Sequence, residues 1–272
     1  MFKLRLLSTL FLLPLVVAGI LFLPDAYVAA ASGVVFIIAI WEWLHMTVMK
    51  TSKIRFVLLL SLIIVAYSFL ALGFSHVWLY YLSLLCWVAS FIGVCFYPRG
   101  TVLWHDFFLM PFVGLIMFIP GWLALNTLHQ QLPYGPEMVL LGCCLIWGSD
   151  VGAYCCGKLW GNKKLAPHVS PGKTWAGFYG ALATGCLVML GFYWWLQPNF
   201  SIGQGLLLAV ITVIFAVVGD LVESMLKRIY GFKDSGNIIP GHGGMYDRID
   251  SMLAAFPVYF LGLQILNNVS MI

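Results

Sequence analysis

Acidic and basic side chains are scarce in this chain, and they are concentrated. Asp220, Glu223, Lys227, Arg228, Lys233, Asp234, Asp247, Arg248 and Asp250 are nine of its 24 charged residues, and all fall within 219–251. Gly231, Gly236, Gly241, Gly243 and Gly244 lie among them, and apolar runs at 201–218 and 252–266 flank the stretch. Asp220 stands three residues before Glu223 and four before Ser224, so a helix would show all three on one face. Asp247 and Asp250 repeat that spacing. A further acid, Asp150, interrupts an apolar run as Trp147-Gly-Ser-Asp150-Val-Gly-Ala-Tyr154. A carboxylate in hydrocarbon costs about 2.5–3.5 kcal/mol on insertion scales, so it faces a cavity, a partner or a cation. Gathered carboxylates need counter-charge to stay ionised, and Mg²⁺ suits oxygen ligands combined with substrate phosphates. Asp220 with Asp247 is therefore read as a metal pair, whereas Glu223 and Lys227 are read as an i, i+4 ion pair. A metal beside Lys and Arg is what phosphoryl-type transfer requires, since charge builds on the leaving oxygens.

A second basic stretch reads Gly157-Lys-Leu-Trp-Gly-Asn-Lys-Lys-Leu-Ala-Pro-His-Val-Ser-Pro-Gly-Lys-Thr174. Its Gly172-Lys173-Thr174 suggests a nucleotide phosphate loop, but the first glycine of that pattern would fall at Pro167. What remains is an ordered, basic Gly/Pro loop for polyphosphate or an anionic headgroup, with Ser170, Lys173 and Thr174 the specific contacts. Lys163 and Lys164 need no more than attraction to anionic lipid.

The elements that must position these residues cross a membrane. The chain is 62% hydrophobic and 9% charged, with mean hydropathy +0.98, far from a soluble domain at about 25% charge. About twenty helical residues cross the hydrocarbon core, which predicts nine spans at 6–23, 27–48, 54–73, 77–96, 105–125, 138–157, 175–196, 201–220 and 252–269. The first span is read as a retained helix rather than a cleaved signal. With nine spans, all 14 basic residues fall on one side. The opposite loops carry only Asp25, Glu137, His76 and His129. The positive-inside rule then places the N-terminus and both basic loops in the cytosol and the C-terminus outside. The expected fold is a single all-α polytopic membrane domain, with an N-terminal helical half (1–130) and a half (138–272) carrying both basic loops. Seven cysteines without a C-x-x-C pair read as packing residues. Trp41-Glu42-Trp43 reads as an interfacial aromatic belt, and Glu42 and Asp106 are each expected to have a structural partner. No repeat, soluble domain or nucleic-acid site is indicated.

Three segments, Ser224-Met-Leu-Lys-Arg228, Lys233-Asp-Ser-Gly236 and Pro240-Gly-His-Gly-Gly-Met-Tyr-Asp-Arg-Ile-Asp250, run in an order that resembles the signature of the CDP-diacylglycerol synthases (phosphatidate cytidylyltransferases). Asp150-Val-Gly-Ala-Tyr and Ser170-Pro-Gly-Lys-Thr are similar to that family's other recurrent segment. The likeness is specific over roughly 140–260. It departs from the family at Ala176, where Glu or Gln is common. The resemblance implies a Mg²⁺-dependent membrane enzyme that joins CTP to phosphatidic acid and releases pyrophosphate, built as a helical bundle that tends to dimerise. It puts the metal-binding aspartates at Asp220 and Asp247. On this reading Asp150 and Asp250 support the metal site, Asp150 as a further ligand, and one Mg²⁺ or two cations are accommodated. Asp220, Asp247, Lys227 and Asp250 are the expected catalytic residues. Ser170, Lys173, Thr174, Ser224, Arg228, His242, Gly243 and Arg248 are the expected substrate contacts. A bacterial inner membrane, with the site facing the cytosol and surrounded by membrane lipid, is the expected location. The rival readings are a CTP-dependent polyprenol or lipid kinase and a cation-coupled transporter. The motif of the CDP-alcohol phosphotransferases is absent, because Asp247-Arg-Ile-Asp250 is followed by Ser251.

Overall fold

The computed structural model describes residues 2–47, 57, 59–61, 77–101, 104, 109–131, 134–236, 238 and 243–266. Among the described residues these long helices follow one another: α1 (Phe2–Phe22), α2 (Asp25–Thr47), α3 (Val77–Phe96), α4 (Leu109–His129), α5 (Gly135–Trp160), α6 (Trp175–Leu196), α7 (Ile202–Tyr230) and α8 (Tyr246–Leu266). Among the described residues, the seven from α2 onward are long and apolar enough to cross a membrane. The chain is an all-α polytopic membrane protein. The span expected at 54–73 and the acid Asp106 lie almost wholly or wholly outside the described residues.

Of these seven helices, α8 is the most buried and α6 the least. The bundle is therefore built around α8, with α2, α3, α4, α5 and α7 packed on it. Small residues decide how close the helices come. A Cβ at Gly152 of α5 would stand 2.6 Å from the Gly180 carbonyl of α6 and closer still to the Thr184 hydroxyl. A Cβ at Gly219 of α7 would stand 2.5 Å from the Asp250 carbonyl of α8. Such approaches bring carboxylates on different helices together.

Between α5 and α6 the basic stretch folds as an antiparallel hairpin, β1 (Lys164–Ala166) with β2 (Ser170–Thr174), pairing Lys164 with Thr174 and Ala166 with Ser170. Val169 at its tip is buried, and its carbonyl accepts from Arg228 Nε of α7 at 3.3 Å. Thr174 ends the hairpin and caps α6, its hydroxyl accepting from Gly177 N at 3.1 Å. At the other end of the bundle, buried His129 of α4 joins Asp25 Oδ1 of α2 at 2.7 Å and the Ile20 carbonyl of α1 at 2.9 Å.

Trp43 corrects one expectation. It is fully buried, edge-on to Phe118 and Tyr246 at centroid distances of 5.8 and 5.6 Å, and is core rather than interfacial belt. The seven cysteines are free; Cys143 is buried, whereas Cys95 and Cys155 are exposed.

Candidate active site

The two charged stretches meet. Hydropathy alone would end α7 near residue 220, yet the helix continues to Tyr230, where Gly231 takes a left-handed conformation (φ 74°) and stops it. α8 begins at Tyr246, so Asp247, Arg248 and Asp250 lie inside the helix. Asp220, Glu223 and Lys227 thus share a face of α7 turned toward the first turns of α8.

An oxygen from each of Asp220, Glu223 and Asp250 lies within 4.8 Å of the others. Glu223 and Asp250 are buried, at 2% and 8% exposure, so this crowding is not relieved by water. Lys227 bridges the rest, with Nζ 2.7 Å from Glu223 Oε2 and 2.9 Å from Asp247 Oδ1. Glu223 and Lys227 form the expected pair, and Glu223 is also part of the cluster, which its i, i+4 spacing did not reveal. Ser224 Oγ donates to Asp220 Oδ1 at 3.4 Å, and Asp220 Oδ2 meets Lys173 Nζ from the hairpin.

Backbone amides hold Asp247. Ser235 N donates to its two oxygens at 3.1 and 3.3 Å, and Gly244 N donates to Oδ2 at 2.8 Å. Gly243 stands beside it in the left-handed region (φ 82°), where a Cβ would lie 2.6 Å from Asp247 Oδ2. Gly243 was expected to contact substrate, but it and the Gly244 N–H close on the protein's own carboxylate. His242 and Gly241 lie outside the described residues.

Two cavities adjoin, each of about 310 Å³, and Asp150 and Asp220 line both. One is lined only by polar side chains, namely Asp150, Asp220, Glu223, Lys227, Asp234, Asp247, Arg248, Asp250 and Ser251. Six of these are acidic and two basic. The other lies between α5, the hairpin, α6 and α7, with Ala153, Tyr154, Leu165, Phe178, Ala181 and Val217 among its walls and Lys158 and Lys173 as its cations. Thr174 lines it too, although buried and engaged as a helix cap. Ser170 lines neither cavity. Arg228 is exposed, with Nε spent on the hairpin.

A sequence family described as the cytidylyltransferase family matches residues 3–266. The chain belongs to it. A phosphatidate cytidylyltransferase of Pseudomonas aeruginosa is 37% identical over 262 residues, covering 95% of this chain and 96% of that protein. One from Haemophilus influenzae is also 37% identical, with 95% of this chain and 97% of that protein covered. One from Bacillus subtilis is 39% identical over 170 residues, 59% of this chain and 62% of that protein. The full-length matches extend the likeness over the N-terminal half, where sequence motifs had pointed to nothing specific.

That half reaches the site of this cytidylyltransferase through Glu42 of α2, which is 3% exposed. Its Oε2 accepts from Ser235 Oγ at 3.0 Å and from Tyr246 N at 2.8 Å. A structural partner for Glu42 was expected, but its identity was hidden by the long chain separation. The available signal was an acid at the end of an apolar helix together with glycines in a distant loop.

Proposed function

We propose that the chain transfers the cytidylyl group of CTP to phosphatidic acid, forming CDP-diacylglycerol and pyrophosphate. A phosphate oxygen of the lipid attacks the α-phosphorus of CTP. The new O–P bond forms as the bond from the α-phosphorus to the β-phosphate oxygen breaks, and pyrophosphate carries away the electron pair. The nucleophile is already anionic, so no strong base is needed. The barrier lies in bringing two polyanions together and stabilising the departing one.

The observation that carries this reading is the pair of cavities with opposite character that meet at Asp150 and Asp220. The cavity with apolar walls and two lysines suits an amphiphilic anion such as phosphatidic acid. The all-polar cavity, with six acids against two bases, repels a bare triphosphate and suits one that arrives with a divalent cation. The donor set fits Mg²⁺: three carboxylates with oxygens within 4.8 Å and no equal counter-charge. Asp220, Glu223 and Asp250 would hold it, with Asp247 and Asp150 on the same cavity wall. When bound, Mg²⁺ supplies positive charge to the phosphate oxygens and orients them. Lys227 bridges Asp247 and Glu223. Lys173, on β2, can turn from Asp220 to a lipid phosphate. Arg248 at the cavity wall is placed for phosphate oxygens, and Ser224 orients Asp220.

Placement of the basic loops in the cytosol by the positive-inside rule supports a site on the inner face of a bacterial cytoplasmic membrane, where CTP is available.

Purified protein in detergent, with Mg²⁺, phosphatidic acid and CTP labelled in the cytosine, should yield labelled lipid and one pyrophosphate per turnover. Chelation of the metal or omission of phosphatidic acid should abolish it. Transfer of label from the γ-phosphate, with none from cytosine, would instead mean a kinase and overturn the proposal.

A further inference from the structure

We propose that Glu42, on the N-terminal half of the chain, is a positioning residue that, through the Ser235 hydroxyl, fixes the loop at Asp234 and the first turn of α8, which carries Asp247. It touches neither cavity and acts through its neighbours.

The hydrogen bonds form a directed chain. Asp247 N donates to Ser235 Oγ at 3.3 Å, and Ser235 Oγ donates to Glu42 Oε2 at 3.0 Å. Ser235 N in turn donates to the Asp247 carboxylate. Backbone and side chain of Asp247 are therefore both tied to one serine, and that serine to α2. Tyr246 N, the first amide of α8, also donates to Glu42. A buried carboxylate at a helix N-terminus meets unpaired N–H groups and the positive end of the helix dipole.

The loop is shaped around this carboxylate. A Cβ at Gly236 would lie 2.6 Å from Glu42 Cδ and nearer to Oε1, although Gly236 is not in the left-handed region. A Cβ at Gly244 would fall against Glu42 Oε2 and Ser235 Oγ, 2.6 Å from Gly236 N. These glycines leave room for a side chain from another helix, not for flexibility. Trp43 locks the neighbouring turn: it packs on Tyr246 and Phe118, and its indole nitrogen would lie 2.7 Å from a Cβ at Gly114. Glu42 Oε1 is buried and, among the described residues, has no hydrogen-bond partner. A carboxylate held this way costs more than an apolar residue of similar size would, so packing alone does not account for it.

The consequence is selective. Asp234, Asp247 and Arg248 line the polar cavity, and none lines the other. Loosening the loop should therefore weaken use of CTP and leave use of phosphatidic acid almost unchanged. This rests on the cytidylyl-transfer reading, so wild type is assayed alongside.

Glu42→Ala, Glu42→Gln and Ser235→Ala are compared by kcat and by separate KM values for each substrate, normalised to folded, monodisperse protein. The alanine variant at 42 should lose about thirtyfold or more in kcat/KM for CTP, given that ångström misplacements cost up to about a hundredfold. Its KM for phosphatidic acid should stay within about twofold. The amide oxygen of Gln can accept both bonds, so Glu42→Gln should recover most of the loss. Ser235→Ala should fall about tenfold, and combining it with Glu42→Ala should add little, because both remove one linkage. If Glu42→Ala fails to fold, the other two variants decide. Unchanged KM for CTP and unchanged kcat in folded Ser235→Ala would overturn the proposal, as would equal changes in both KM values or a Glu42→Gln variant as impaired as Glu42→Ala. An inactive wild type would overturn the transfer reading instead.

Discussion

Gly219 is where a single methyl group should separate the site from the fold. A Cβ there would stand 2.5 Å from the Asp250 carbonyl oxygen and 3.1 Å from both Asp250 C and Ser251 Cα. All three are backbone atoms of α8, so no side chain can turn aside. Ordinary contacts of about 3.5–4.0 Å between carbons then require α7 and α8 to part by roughly 1 Å. Overpacking of this kind costs about 1–3 kcal/mol, offset by about 1 kcal/mol because Ala is the better helix former. Gly219→Ala should therefore still fold. The carboxylate cluster spans this seam, with Asp220 and Glu223 on one side and Asp250 on the other. A shift near 1 Å in a reacting constellation costs on the order of a hundredfold in rate. The assay is kcat for CTP incorporation, read beside the midpoint of thermal unfolding in detergent. Gly262→Ala is the control, since it lies at the same seam, on α8, but would meet only Leu208 Cδ1 of α7, the tip of a flexible side chain, with Cγ 3.8 Å away. It should keep kcat within about threefold. Wild-type turnover by Gly219→Ala would show that close approach of α7 to α8 does not set the carboxylate geometry.

Lys227→Met removes the cation between Glu223 and Asp247. Losing one partner of a buried pair costs about 3–5 kcal/mol, so thermal unfolding should drop sharply, and added Mg²⁺ should restore more of it than in wild type. An unshifted midpoint would count against the bridge. Lys173→Met should lower kcat/KM for phosphatidic acid by about tenfold or more, through loss of a charged contact, whereas Lys163→Glu should stay within about threefold; a complete loss in the latter would mean the site is misplaced. His129→Leu should lower stability by about 1–3 kcal/mol by stripping a buried donor from Ile20 and a partner from Asp25. Its specific activity should not change, because the helical rise from Asp25 to Glu42 is about 25 Å.

Where hydropathy set a boundary, the sequence reading held where charge and span coincide: 77–96 matches α3, and 175–196 matches α6. It failed where they do not. The spans expected at 201–220 and 252–269 stop at the charged residues, yet α7 runs ten residues further and α8 starts six earlier. Hydropathy counts what lipid accepts, whereas a helix needs only satisfied backbone, and Glu223, Lys227 and a glycine stop at 231 provide for it. The error mattered, because helical continuation aims Glu223 and Lys227 at α8. The hairpin at 164–174 reads as a loop because Gly and Pro obscure so short a strand pair. Gly148 and Gly152, four residues apart beside Asp150, are where α6 comes close to α5. The partners of Glu42 are about two hundred positions away, beyond any local pattern.

The charge distribution around Asp220 accounts for a site divided in two. A single basic pocket would attract CTP and phosphatidic acid equally and then hold both, along with the pyrophosphate. Here each anion is neutralised by a different device. Lys158 of α5 and Lys173 of β2 face the cavity with apolar walls and match Asp150 and Asp220 there, whereas on the proposed reading six acids against two bases leave the polar cavity short of positive charge until a cation accompanies its ligand. On the proposed reading the lipid would be held without drawing in free triphosphate, and the product pyrophosphate would depart with its own counter-ion. Asp150 and Asp220 are common to both walls, where on the proposed reading the two phosphates would meet, and Lys173 pairs with Asp220 there. Moving either carboxylate to one cavity alone would separate the recognition of lipid from that of nucleotide.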